Sequence, residues 1–134
     1  MTGRGVAVEA FLAAGLGDRS YLVVAGGSAV VVDPQRDVGA YLEAAERHGA
    51  RISHVLETHV HNDYVSGGLE LARRTGATLV LPGGSGVAYG HRAVADAEAV
   101  DAGPLRVRAF HTPGHTPEHT SYLVDAGDAA DAAD

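Results

Sequence analysis

The sequence predicts a single α/β (α+β) domain, and three observations carry that prediction. Two apolar runs, Ser20 to Val24 and Ala29 to Val32, are separated by Gly26-Gly27, the composition of a β-hairpin with a short glycine turn. A strand–helix–strand unit follows, from Ala29–Val32 through a helix to the apolar run beginning at Ile52. Two histidine clusters then stand directly behind strand-like segments, at the carboxyl ends where open α/β sheets place their sites.

The elements can be justified in order. Val6 to Phe11 alternates well enough for an opening strand, and Gly15, Gly17 and Asp18 turn the chain into the hairpin. Asp33-Pro34 ends the second hairpin arm, because proline cannot continue a ladder. Asp33 either caps that turn or faces the site as an acceptor, and turn chemistry favours the cap. Asp37 reads as the N-cap of a helix through His48, with Val38, Tyr41, Leu42 and Ala45 on one face. Gly49 is its stop, and His48 reads as an exposed cation at the helix end. Ile52–Thr58 is the next strand, with His54 inside it in a structural role.

A second helix begins between Asn62 and Ser66 and ends before Gly76, burying Val65, Leu69 and Ala72. Thr78–Leu81 is a short strand. Pro82-Gly83-Gly84-Ser85-Gly86 lacks the lysine and spacing of a phosphate loop and reads as an ordinary loop. The stretch around His91 carries no clear pattern. Leu105 to Phe110 alternates apolar and basic residues, a half-buried strand, and Thr120 to Val124 is another. The domain so read spans residues 1–124, and the Ala/Asp-rich residues 125–134 read as a flexible tail.

Composition narrows the chemistry. The 134 residues suffice for one domain, and 46% hydrophobic with 20% charged residues is globular. A net charge of −7, without basic runs, argues against nucleic acid, whose phosphates need Lys and Arg. No apolar run reaches the length of a membrane span, and no apolar leader follows Met1, so the cytoplasm is the expected compartment. Without cysteine, a metal must be held by His, Asp, Glu or Tyr.

The first cluster is Thr58-His59-Val60-His61-Asn62-Asp63-Tyr64. If the chain stays extended past the strand, period two throws His59, His61 and Asp63 to one side. The second is His111-Thr112-Pro113-Gly114-His115, where proline stiffens the approach and glycine permits the turn that aims His115 inward. His59, His61, Asp63 and His115 are therefore the candidate metal ligands, with weaker claims for His111 and His119. Imidazole joined by carboxylate favours zinc or iron.

These two motifs, in this order, resemble the metallo-β-lactamase superfamily, whose signature is Thr-His-x-His-x-Asp-His. The resemblance runs from about Tyr21 to Val124. Val31–Pro34 and His-Thr-Pro-Gly-His-Thr resemble in particular the branch of persulfide dioxygenases and glyoxalase II-type thioesterases, and bacterial proteins in which this domain is fused to rhodanese modules. The resemblance implies an αβ/βα sandwich with metal at one edge.

Two departures bear on the site. Tyr64 stands where the signature has its last histidine, and a phenol is a poor neutral-pH ligand, so one metal is expected rather than two. The family's later carboxylate ligand has no counterpart here, so the chain reads as the N-terminal part of the sandwich. Residues 1–134 alone are then expected to bind metal weakly and to show no turnover.

The resemblance implies, first, an enzyme with one Fe(II) oxidising glutathione persulfide. His59 and His115 would be ligands, with His61 and Asp63 orienting them. The alternative is a thioester hydrolase with Zn²⁺ on His59, His61 and His115, and Asp63 orienting the attacking water. Asp63 and Tyr64 are the candidate catalytic side chains of either enzyme. A third reading is a degenerate binding module beside a sulfurtransferase.

Overall fold

The structure is a computed structural model, and it describes residues 6–12, 19–35, 38–58, 67–82, 92–111 and 120–126. In chain order the strands are β1 (Ala7–Leu12), β2 (Arg19–Ala25), β3 (Ser28–Val32), β4 (Arg51–Leu56), β5 (Thr78–Pro82), β6 (Arg92–Val94), β7 (Ala99–Ala102), β8 (Leu105–His111) and β9 (Thr120–Ala126). Helix α1 (Gly39–Arg47) lies between β3 and β4, and α2 (Gly67–Thr75) between β4 and β5. Strands β1 to β6 form one six-stranded sheet in sequence order, antiparallel from β1 to β3 and parallel from β3 to β6. Strands β7, β8 and β9 form a second, antiparallel sheet.

Both faces of the large sheet are buried, and period two divides its side chains between them. Leu22, Val24, Val31, Val55, Leu79 and Leu81 pack with Tyr41, Ala44, Ala45 and Leu71 of the helices. Their neighbours Val23, Val30, Leu56 and Val80 turn the other way and meet Val100, Leu105, Val107 and Ala109 of the small sheet. The result is three layers: helices, large sheet, small sheet. This explains why the middles of β2, β3 and β5 read as continuous apolar runs, whereas β8 alternates. Leu105, Val107 and Ala109 are buried, and Arg106, Arg108 and Phe110 are exposed.

Local chemistry sets the connections. Gly26 and Gly27 both have positive φ, 55° and 83°, as a two-residue hairpin turn of the favoured hand requires. Helix α1 ends with Gly49 at φ 64°, where Gly49 N–H bonds Glu46 O at 3.0 Å and Ala50 N–H bonds Ala45 O at 2.9 Å. This paired closure satisfies two terminal carbonyls. Inside the helical layer the Tyr41 hydroxyl accepts from Gln35 N–H at 2.8 Å and bonds Ser20 Oγ at 2.6 Å.

Several boundaries differ from the expectation. The N-cap of α1 is Val38, which makes no side-chain cap bond; Asp37 lies outside the described residues. In α2 the fully buried side chain is Leu71, with Leu69 only partly covered, because the helix turns its 71–72 edge to β4 and β5. Truncation of Leu71 to Ala should cost about 2–5 kcal/mol. The expected start of α2 and Val65 lie outside the described residues, as do residues 83–91. Strand β4 ends at Leu56 rather than Thr58, although Glu57 N–H still bonds Val80 O at 3.0 Å. Strand β9 continues to Ala126, through two positions read as tail; residues 127–134 lie outside the described residues. Strands β6 and β7 were not foreseen.

Candidate metal centre

The first histidine cluster leaves the sheet at the carboxyl end of β4, where the chain is held unusually firmly. Asp33, just past β3, has φ 51°, a left-handed conformation that aspartate tolerates better than most residues. Its own N–H bonds Leu56 O at 2.8 Å. Its carboxylate reaches across to Thr58, accepting from the backbone N–H at 2.8 Å and from the hydroxyl at 2.6 Å. Asp33 is therefore a tie between strand ends rather than the turn cap that turn chemistry suggested.

From the other sheet, the Tyr122 hydroxyl donates to Glu57 O at 2.7 Å. The Glu57 carbonyl and the Thr58 N–H belong to one peptide group. That group is consequently anchored at both ends, by the phenol of β9 and by the carboxylate behind β3. Thr58, the residue before His59 in the sequence, therefore follows a fixed peptide plane. Burial pushes the Tyr122 phenol well above its ordinary value of 10.0, and the carboxylates of Asp33 and Glu57 add to the shift. It stays protonated, and so a donor, across the whole range in which imidazole titrates.

His59, His61, Asp63, Tyr64, His115 and His119 lie outside the described residues, and so does His91. Among the described residues no three His, Asp or Glu side chains gather as a metal site. Three other histidines are described. His48 is exposed and its Nε2 lies 3.2 Å from Glu9 Oε1, beside an Arg47–Glu9 ion pair at 3.0 Å. His111 ends β8 on the surface, with its N–H bonding Asp96 Oδ1 at 2.8 Å. His54 sits in a β-bulge: Ala29 pairs Ile52 while Val30 pairs His54, so Ser53 is the extra residue. Its Nδ1 lies 3.0 Å from Ser53 Oγ, a structural setting. Burial, helped by Arg92, holds the His54 imidazole below its ordinary value.

A cavity of about 730 Å³, lined by His54, Thr78, Arg92 and Ala99–Asp101, opens beside the first residue of β5, away from the carboxyl ends of the parallel strands. The histidine motifs depart from the opposite end. There Glu57, just past the end of β4, meets Tyr122 near the start of β9 through a hydrogen bond, while β8 ends at His111 beside β9. Both motifs thus issue from adjoining strand ends. Their donor set of imidazoles and a carboxylate, without thiolate, suits a divalent zinc or iron ion. The sequence signals missed here were Tyr122 and Glu57. A charged residue closing an apolar strand, and a tyrosine opening one, were the visible hints.

Residues 15–130 match the family profile described as Metallo-beta-lactamase superfamily. A hydroxyacylglutathione hydrolase of Acidiphilium cryptum is 39% identical over 115 residues, which cover 84% of this chain and 46% of that protein. Among solved structures, a metallo-beta-lactamase from Staphylococcus aureus superposes with a TM-score of 0.84 at 29% identity, over 95% of this chain and 40% of that one. ETHE1 from Myxococcus xanthus superposes with a TM-score of 0.78 at 29% identity, over 88% of this chain and 53% of that one. The chain therefore spans about half, or less, of the length of these three proteins. With profile, sequence and fold agreeing over nearly all of its length, the chain belongs to the metallo-β-lactamase superfamily, on the side of the hydroxyacylglutathione hydrolases and ETHE1.

Proposed function

We propose that these residues form the metal-bearing part of a hydrolase acting on a glutathione thioester, with one Zn²⁺ held by His59, His61 and His115. The observation that carries this reading is the 39% identity to a protein named hydroxyacylglutathione hydrolase, over 84% of the chain. It favours the hydrolase over the persulfide dioxygenase that the motifs first suggested. Zinc in such a site supplies Lewis acidity toward a thioester carbonyl and toward water. The chain's own part is positional. Asp63 would orient the attacking water, while Asp33 and Tyr122 fix the Glu57–Thr58 peptide that precedes His59 in the sequence. Tyr64, in place of a histidine, holds the stoichiometry at one metal.

The fold likeness to ETHE1 supports a second reading, a persulfide dioxygenase with one Fe(II) on His59 and His115. The two readings separate in one experiment on the natural polypeptide that carries these residues. It is loaded with Zn²⁺ or Fe(II), then offered a hydroxyacyl-glutathione thioester or glutathione persulfide. Loss of thioester absorbance with the zinc form, and no oxygen uptake with the iron form, is the expected result. Oxygen consumption on persulfide without thioester cleavage would reverse the assignment.

A further inference from the structure

We propose that Tyr122 is a positioning residue for the metal centre, its hydroxyl holding the Glu57–Thr58 peptide against β9 and so fixing the described strand ends that precede the two histidine motifs. The inference rests on the metal-site reading above. Three observations carry it. The hydroxyl's bond to Glu57 O, at 2.7 Å, joins a strand of the small sheet to the residue that follows β4 of the large sheet, 65 positions away in sequence. The peptide it holds is the one whose N–H is already fixed by Asp33, so rotation of that plane must break one bond or the other. Tyr122 also pairs with Ala109 in the β8–β9 ladder, close to His111 where β8 hands the chain to the second motif. One hydroxyl therefore links the exit of β4 to the strand pair that flanks the His111–His119 segment.

The ring of Tyr122 packs against the inter-sheet core with Val32 and Val124, so its apolar body already has a structural role. The hydroxyl is what the proposal concerns. Removing it leaves the packing in place and frees the carbonyl end of the clamped peptide. Groups that orient metal ligands from outside typically change affinity about 10–100-fold when lost.

The test compares Tyr122→Phe with the unaltered natural polypeptide and with Leu123→Ala, an exposed neighbour on the same strand. Zn²⁺ affinity is measured by chelator competition, Co²⁺ is used as a spectroscopic probe, and thermal unfolding is recorded without metal. The expected result is a roughly 10-fold or greater loss of Zn²⁺ affinity in Tyr122→Phe, with an altered Co²⁺ visible spectrum, and neither change in Leu123→Ala. A lowered melting temperature with unchanged affinity and spectrum would show a purely structural bond and overturn the proposal. Unaltered protein that binds neither metal would overturn the site reading as well, which distinguishes the two failures. If Tyr122→Phe does not fold, Tyr122→4-aminophenylalanine keeps the ring and a donor. A folded form with near-original affinity supports the proposal, and a folded form with weak affinity overturns it.

Discussion

The Asp33 carboxylate takes both hydrogen bonds that Thr58 offers, one from the backbone at 2.8 Å and one from the hydroxyl at 2.6 Å. Charge-assisted bonds of this kind are each worth about 1.5–3 kcal/mol. Asp33→Asn keeps the shape and tolerates φ 51°, so it isolates the charge, and an unfolding free energy lower by about 2 kcal/mol is expected. Asp33→Ala should cost more, because alanine is strained in that conformation. Thr58→Val should cost less than either, since the N–H bond survives. Urea unfolding of the three variants checks the order, and an Asp33→Asn cost below about 0.5 kcal/mol would count against the tie.

Tyr64 occupies the position of the family's last signature histidine. Restoring it (Tyr64→His) should raise zinc content from one toward two ions per chain, because a neutral imidazole replaces a phenol that is protonated at neutral pH. Elemental analysis after dialysis reads the stoichiometry. Two ions in the unaltered protein would remove the argument for a single metal.

Only some of the histidines should matter to the metal. His59→Ala or His115→Ala should abolish metal binding and activity together. His48→Ala should leave both intact, losing only an exposed contact with Glu9 worth at most about 1 kcal/mol. Binding should also weaken below about pH 6, since imidazole must be neutral to coordinate. Loss of metal in His48→Ala would mean that the ligand set has been misread.

The parts of the fold legible in the sequence were those with strong local signals. The glycine turn at Gly26-Gly27, the glycine stop at Gly49 and the alternation of Leu105 to Phe110 each have a local physical cause, and each appears in place. Strands β6 and β7 were not legible because they are short segments, Arg-Ala-Val and Ala-Val-Asp-Ala, made strands only by pairing with β5 and β8. The bulge at Ser53 was equally invisible, since it depends on register with β3. For the site, the metal-bearing residue types stood in the sequence. The clamp on the Glu57–Thr58 peptide did not, because its partners Asp33 and Tyr122 lie 25 and 65 positions away from the atoms they bind.

His54 supplies the last prediction, a pH dependence separate from metal binding. Its imidazole is half-buried beside the Ser53 bulge of the large sheet, and burial, with Arg92 of β6 adding, lowers its pKa from 6.5. Asp101 of β7 lines the same cavity but is engaged with Arg106 at 3.3 Å. The unfolded chain therefore takes up the proton more readily than the folded one. Stability is unaffected by this group well above pH 6.5, falls as pH drops through 6.5 toward the lowered folded value, and levels off below it. Glu9 acts in a different window. Its carboxylate is held below 4.5 by hydrogen bonds from Arg47 and then His48, so its contribution is present above 4.5 and fades only as pH falls through its lowered value. Metal-free protein should consequently lose stability as pH falls from neutrality through 6.5, and His54→Gln should flatten that slope. Comparing the two proteins cancels the contributions of the other histidines, provided that those sites are independent of His54. Denaturant midpoints taken across the range give the measurement, and an identical slope in His54→Gln would place the titrating group elsewhere.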